Sequence, residues 1–116
     1  MKATELMVGD WVLDGNKPAQ ITGIMCDDLF ETTLSPSVGG ECITPIPLTD
    51  EIMEENFPIY EKGYTVGWWT DEFGNAGPFW FELTANGVQI EIKSIKYVHE
   101  LQHALRLCDV RKEVEL

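Results

Sequence analysis

The sequence predicts a mainly β (α+β) fold, a small SH3-like and partly open β-barrel that carries two helices. Three observations support this prediction: short alternating apolar runs between glycine- and proline-rich turns, one Asn-Gly hairpin signal, and a single long stretch with helical periodicity. The chain has 116 residues, of which 44% are hydrophobic, so it is long enough for one core. We therefore expect a single domain over residues 1–116.

The N-terminal part is predicted to form short, strongly bent strands. Residues 6–13 begin with a turn at Gly9 and run into a strand, and residues 14–18 are dense in turn-forming residues. Gly23 is expected to be a bulge or bend in the next strand. A bent hairpin that begins Gly-Asp-Trp-Val is typical of small SH3-like barrels. Further strands are expected at residues 20–26, 29–34 and 42–46.

A short connector helix is predicted over about residues 49–57. Thr49 is placed to cap its N-terminus, and Asp50 and Glu51 occupy the first turn, where the helix dipole favours negative charge. Pro58 ends the helix, because proline restricts the residue before it. We interpret this segment as a structural connector.

Three strands rich in aromatic and β-branched residues are predicted between residues 64 and 93. Asn86-Gly87 forms a two-residue turn between the last two strands and places Glu82 opposite Glu91. Alternation gives an inner face that we expect to be core, formed by Tyr64, Val66, Trp68, Phe79, Phe81, Leu83, Val88, Ile90 and Ile92. The opposite face carries Trp69, Trp80, Thr65, Glu82, Gln89, Glu91 and Lys93.

This opposite face supports two interpretations. In one, the C-terminal helix packs on it and covers the tryptophans. In the other, Trp69 and Trp80 are exposed beside acidic side chains and bind a basic or cationic partner. The glycine-rich loop 71–78 between the tryptophan strands is expected to line such a site. The candidate ligand- or partner-binding residues are Trp69, Trp80, Asp71, Glu72, Phe73, Glu82 and Glu91.

The C-terminal helix is predicted over about residues 95–108, with Ser94 as its N-cap. His99 and His103 are four residues apart, so they share one helix face, which we expect to be solvated. The face that packs on the sheet is an apolar stripe formed by Tyr97, Val98, Leu101, Ala104, Leu105 and Cys108.

The string His-Glu-Leu-Gln-His at residues 99–103 fits the H-E-x-x-H pattern of zinc hydrolases, in which His99 and His103 would bind the metal and Glu100 would be the base. A catalytic zinc needs a third protein ligand. Asp109 has the sequence position for it, but a helix that continues past His103 carries Asp109 away from the histidines. We therefore expect neither an enzyme nor a metal or other cofactor, and zinc-dependent hydrolysis is the alternative.

The net charge of −12 limits the kinds of partner. Residues 1–92 hold sixteen acidic and three basic residues, whereas residues 93–116 hold four and five. Because so negative a surface repels phosphate backbones, we do not expect direct nucleic-acid binding. A protein partner that is basic, or that itself binds nucleic acid, fits this charge, although solubility alone also explains it.

The chain is expected to be cytoplasmic and without membrane contact. No stretch approaches the roughly twenty apolar residues of a membrane span, and the N-terminus has no apolar signal region. The three cysteines are widely spaced and form no C-x-x-C motif, which favours reduced thiols.

Three blocks of sequence, residues 5–12, 45–51 and 95–103, resemble in the same order a family of small proteins carried by phages, prophages and conjugative elements of gut bacteria. The last block of that family more usually reads Val-His-Gln-Leu-Gln-Asn, so His99 matches while Glu100 and His103 depart from it. The resemblance implies a mobile genetic element and no particular activity.

The function expected from these features is a small acidic, non-enzymatic binding module that engages or inhibits a host protein. The alternative is a nucleotide- or metabolite-binding protein that uses the aromatic face and the loop 71–78.

Overall fold

The computed structural model describes residues 1–57, 63–69, 79–110 and 112–116, except for the side chain of Lys93. Within these residues the fold is mainly β with two α-helices, and the strands form two antiparallel sheets that do not close into a barrel. Backbone contacts divide the chain into two units, Met1–Ile46 and Pro47–Leu116. The single domain over residues 1–116 stays a prediction. Neither described α-helix is long and apolar enough to cross a membrane.

The first unit contains a five-stranded antiparallel sheet with the order β4-β3-β2-β1-β5. Its strands are β1 (Trp11–Asp14), β2 (Lys17–Cys26), β3 (Leu29–Thr32), β4 (Val38–Gly39) and β5 (Ile43–Pro45), with short 3₁₀ helices at Ala3–Glu5 and Gly40–Cys42. The pairing of β2 with β3 shifts between Ile21 and Gly23, which confirms the irregularity predicted at this glycine. The core of the unit is formed by Leu6, Val12, Ile21, Phe30 and Ile43.

The Gly-Asp-Trp-Val segment begins this sheet with a tight turn. Gly9 has a φ of 96°, a left-handed conformation that favours glycine. Asp10 is fully buried, and its carboxylate oxygen Oδ2 accepts a hydrogen bond of 2.8 Å from the backbone N–H of Met7. The Asp10 backbone carbonyl accepts a further bond from Ile21, so this residue ties the turn to β2.

The second unit contains α1 (Asp50–Asn56), a three-stranded antiparallel sheet and α2 (Val98–Leu107). The strands are β6 (Tyr64–Trp69), β7 (Phe79–Ala85) and β8 (Val88–Ile95), in the order β6-β7-β8. The central strand β7 buries Phe79, Phe81 and Leu83 on the predicted inner face.

Helix α1 begins at the predicted cap, because the Thr49 hydroxyl oxygen accepts a hydrogen bond of 3.2 Å from the Ile52 backbone N–H. The helix lies against the β6 side of the inner face. The Trp68 indole N–H donates to Asp50 Oδ1 over 2.7 Å, and the rings of Phe57 and Tyr64 meet edge to face with centroids 6.3 Å apart. The connector helix is therefore fixed to the sheet at both of its ends.

Helix α2 begins later than predicted. The prediction that Ser94 is the N-cap is wrong, because β8 continues through Ile95 and Tyr97 is the N-cap residue. The apolar stripe is buried as predicted at Val98, Leu101, Ala104, Leu105 and Cys108. At the other end Asp109, with a φ of 55°, donates its backbone N–H to Arg106 while Val110 donates to Leu105, which is a Schellman ending.

Candidate functional site

The register of the second sheet places four of the predicted binding residues, Trp69, Trp80, Glu82 and Glu91, on one face. Trp69 pairs with Trp80, and Gly67 pairs with Glu82. Glu82 in turn pairs with Glu91, as the Asn86-Gly87 turn predicts. Side chains of directly opposed residues point to the same side of a sheet. We call this side the outer face, and it consists of Thr65, Gly67, Trp69, Trp80, Glu82, Thr84, Gln89 and Glu91.

The two tryptophans of the outer face form a stacked pair across the strands. Their ring centroids are 6.2 Å apart and their planes differ by 16°. Trp69 remains 45% exposed, whereas Trp80 is half-buried. The interpretation in which α2 covers this face is wrong, because Trp69 and the side chains of Thr84 and Glu91 are exposed. An indole held by a stacked neighbour and open to solvent offers a rigid contact surface for a partner.

Two carboxylates lie beside the tryptophan pair. Glu82 and Glu91 are directly opposed on β7 and β8, and the Gln89 side-chain amide donates a hydrogen bond of 2.7 Å to Glu82 Oε1. Opposed like charges destabilise a sheet unless a cation or solvent separates them. Among the outer-face side chains that the structure describes there are two acids and no base. The described part of this face is therefore negatively charged, which favours a positively charged group there.

Gly67 leaves a gap in the outer face that is not predicted from the sequence. A Cβ atom built on this glycine meets no other atom within 4 Å, so the space above it is open. Its neighbours on the face are Trp69 further along β6 and Glu82 across on β7. The signal in the sequence is a glycine at an outward position of a strand, where it contributes nothing to packing.

Some of the predicted site lies outside the described residues. Asp71, Glu72 and Phe73 belong to the segment 70–78, which the structure does not describe, and neither is the side chain of Lys93 described. The backbone of β8 is described, and its register with β7 shifts between Phe79 and Phe81. Because of this shift Trp80 lies opposite both Lys93 and Ser94.

The two histidines of the H-E-x-x-H string are not both solvated, so that prediction is wrong for His99. This residue is 7% exposed, and its imidazole stacks on the ring of Tyr97 with centroids 5.9 Å apart. His103 is half-buried and meets His99 edge to face at 5.6 Å. The physical reason is that α2 begins at Val98, which places His99 in the first turn, beside the N-cap side chain.

Glu100 and Asp109 have structural roles at the ends of α2. Glu100 Oε1 accepts hydrogen bonds of 3.0 Å from the backbone N–H groups of both Lys96 and Tyr97, which is the acidic half of a capping box. Asp109 is exposed beyond the helix end, in the Schellman turn. Among the residues that the structure describes, no three His, Cys, Asp or Glu side chains lie together in a group that could hold a metal ion.

No protein-family model, no curated protein and no solved structure matches this chain. The resemblance to proteins of phages and conjugative elements therefore stays a prediction.

Proposed function

We propose that this protein is a small acidic, non-enzymatic binding module whose outer face holds a basic segment of a protein partner. The observation that carries the proposal is the stacked pair of Trp69 and Trp80, with Trp69 45% exposed, on the same face as Glu82 and Glu91. Tryptophan is enriched among the residues that dominate binding energy at protein interfaces. A tryptophan beside carboxylates is also suited to cations, which the ring attracts through its quadrupole.

The charge of the whole chain supports a basic partner. A net charge of −12 attracts positively charged proteins over the distance of a Debye length and raises the rate of encounter. The contacts on the outer face then determine how long the complex lasts, since most affinity differences lie in dissociation. Such an association is expected to weaken as the salt concentration rises.

The roles of the most enzyme-like residues also support a non-enzymatic function. Glu100, which would be the base of a zinc hydrolase, accepts two backbone hydrogen bonds at the start of α2. A carboxylate engaged in this way stabilises the helix. We include in this proposal a cytoplasmic location, a mobile genetic element as the source and a host protein as the partner.

We also propose that the first unit is SH3-like. The strand order β4-β3-β2-β1-β5, the 3₁₀ helix Gly40–Cys42 between β4 and β5, and the long bent strand β2 support this assignment. The predicted binding residues belong to the second unit.

The test is binding of a capped peptide of alternating arginine and serine residues, measured by tryptophan fluorescence and calorimetry at low and high salt. We expect Trp69→Ala to weaken binding at least about ten-fold, the effect of losing a central aromatic contact. The control is Leu107→Ala, which removes an exposed apolar side chain that belongs to α2 and not to the sheet.

Equal peptide affinity of the Trp69→Ala and Leu107→Ala proteins would contradict the proposal, because binding would then depend on net charge alone. A matching peptide of alternating glutamate and serine is expected to give no signal. A fluorescence response to nucleotides or metabolites, with none to the basic peptide, would instead favour the small-ligand alternative.

A further inference from the structure

We infer that the gap above Gly67 is the binding site for one arginine side chain of the basic partner. This inference rests on the proposed function and names the side chain that the outer face selects. It commits the site to a guanidinium group, held between the Trp69 indole and the Glu82 carboxylate.

The pairing of β6 and β7 determines which side chains are next to this arginine site. Trp69 follows Gly67 by two residues on the same face of β6, about 7 Å along the strand. Glu82 is directly opposite Gly67 on β7. A Cβ atom at Gly67 would meet nothing within 4 Å, so the position between these two residues on the face is open.

An indole and a carboxylate, those of Trp69 and Glu82, favour arginine over lysine. A guanidinium is planar, so it stacks on an indole while its N–H groups donate to a carboxylate in the same plane. An ammonium is a compact, strongly hydrated charge that gains less from stacking. The hydrogen bond from Gln89 holds Glu82 Oε1 in place, and a carboxylate has acceptor sites for further donors. Glu82 is thus oriented before a ligand arrives.

Two unfavourable features of the free protein meet at this point of the sheet. Gly67 lies inside a strand, where glycine is unfavourable, and Glu82 faces Glu91 across the neighbouring strand pair. A bound guanidinium relieves both, because it fills the space above the glycine and places a positive charge beside the opposed carboxylates. Departures from local sheet preferences are expected at functional sites.

The test is a substitution that occupies the arginine site without changing the tryptophans or the carboxylates. Gly67→Val adds a side chain at the open position, and valine is favoured in strands, so the folded state is expected to be at least as stable. The probes are the capped arginine–serine peptide and its lysine and citrulline counterparts. The control is Thr65→Val, which introduces the same residue on the same strand and face without filling the gap.

We expect the wild-type protein to bind the arginine peptide about five- to ten-fold more tightly than the lysine peptide, and the citrulline peptide least. Gly67→Val should lose at least about ten-fold in arginine-peptide affinity and lose the preference over lysine. Thr65→Val should retain both. Glu82→Gln should reduce the difference in affinity between the arginine and citrulline peptides. The substitution removes the carboxylate charge that favours a guanidinium over the neutral citrulline side chain.

If Gly67→Val binds the arginine peptide as tightly as the wild type while Trp69→Ala does not, the inference of an arginine site at Gly67 is wrong and the proposed function stands. If neither substitution changes binding, the proposed function itself fails. Circular dichroism checks that Gly67→Val is folded. If Gly67→Val does not fold, Gly67→Ala replaces it. A folded Glu82→Gln protein that prefers the arginine peptide over the citrulline peptide as strongly as the wild type does would also overturn the inference.

Discussion

The side-chain amide of Asn86 donates a hydrogen bond of 2.9 Å to the backbone carbonyl of Cys108. Asn86 is the first turn residue between β7 and β8, where it has a φ of 52°, and Cys108 is the C-cap of α2. The same amide also reaches the carbonyl of Asp109 at 3.4 Å. One residue therefore shapes the hairpin and satisfies the Cys108 carbonyl, which the end of the helix leaves without an intrahelical partner.

These two roles of Asn86 are separable by substitution. Asn86→Gly accepts the positive φ but removes the amide, so we expect it to cost about 1 kcal/mol of unfolding free energy. Asn86→Ala removes the amide and also strains the turn, for a further cost of about 1 kcal/mol. Urea denaturation of the two variants measures the difference. Equal stability of the glycine and alanine variants would mean that the turn conformation contributes nothing.

The hydrogen bond between Trp68 and Asp50 is expected to hold α1 against the sheet. Its donor is neutral and its acceptor is a carboxylate, a class of bond that contributes about 1.5–3 kcal/mol. We expect Trp68→Phe to destabilise the protein by about that amount, including lost packing, and a double-mutant cycle with Asp50→Asn to show coupling. Trp69→Phe is the matched control, since the neighbouring residue points to the opposite face. Additive effects of Trp68→Phe and Asp50→Asn would argue against a role for the bond.

The features predictable from sequence are those determined by neighbouring residues. Asn86-Gly87 and the alternation on either side predict a turn and a register, and together these correctly place Glu82 opposite Glu91. The cap at Thr49 is equally local. In each case the signal and the structure that it produces lie within a few residues of one another, so no knowledge of the tertiary fold is needed.

The features that the sequence misassigned depend on tertiary packing. Ser94 has the composition of an N-cap, yet it belongs to β8, because pairing with β7 extends that strand through Ile95. His99 lies opposite the apolar stripe in a helical projection, but it is buried against Tyr97. The gap at Gly67 is not predictable from local sequence, because it exists only once the strands of the sheet are paired.

Burial separates the thiol of Cys108 from the other two cysteines. Burial raises the pKa of the Cys108 thiol above its ordinary value of 9.0, whereas Cys26 and Cys42 are exposed. Since the thiolate is the reactive form, we expect two thiols to react quickly with a disulfide reagent and one slowly in the native protein. Three equally fast thiols would show that Cys108 is accessible in solution.

The same pKa shift predicts a dependence of stability on pH. A thiol whose pKa is higher in the folded state keeps its full contribution below the unfolded-state pKa and loses it as the pH rises through 9.0 towards the folded-state value. The wild type should therefore lose more stability than Cys108→Ala when the pH is raised above 9.0. Parallel stability curves for the two proteins would contradict this cause.

The opposed pair of Glu82 and Glu91 is expected to trade stability for binding. Glu91→Lys replaces a repulsive cross-strand pair by an attractive one, so we expect the unfolding free energy to rise by about 0.2–1 kcal/mol. The new ammonium also neutralises the outer face and competes with an incoming cation, so affinity for the arginine–serine peptide should fall several-fold. The matched control is Glu54→Lys, which makes the same change of charge at an exposed position of α1. Chemical denaturation and calorimetry measure both quantities. If the two variants weaken peptide binding equally, the affinity reflects net charge rather than this face, because a screened long-range field does not distinguish one exposed carboxylate from another.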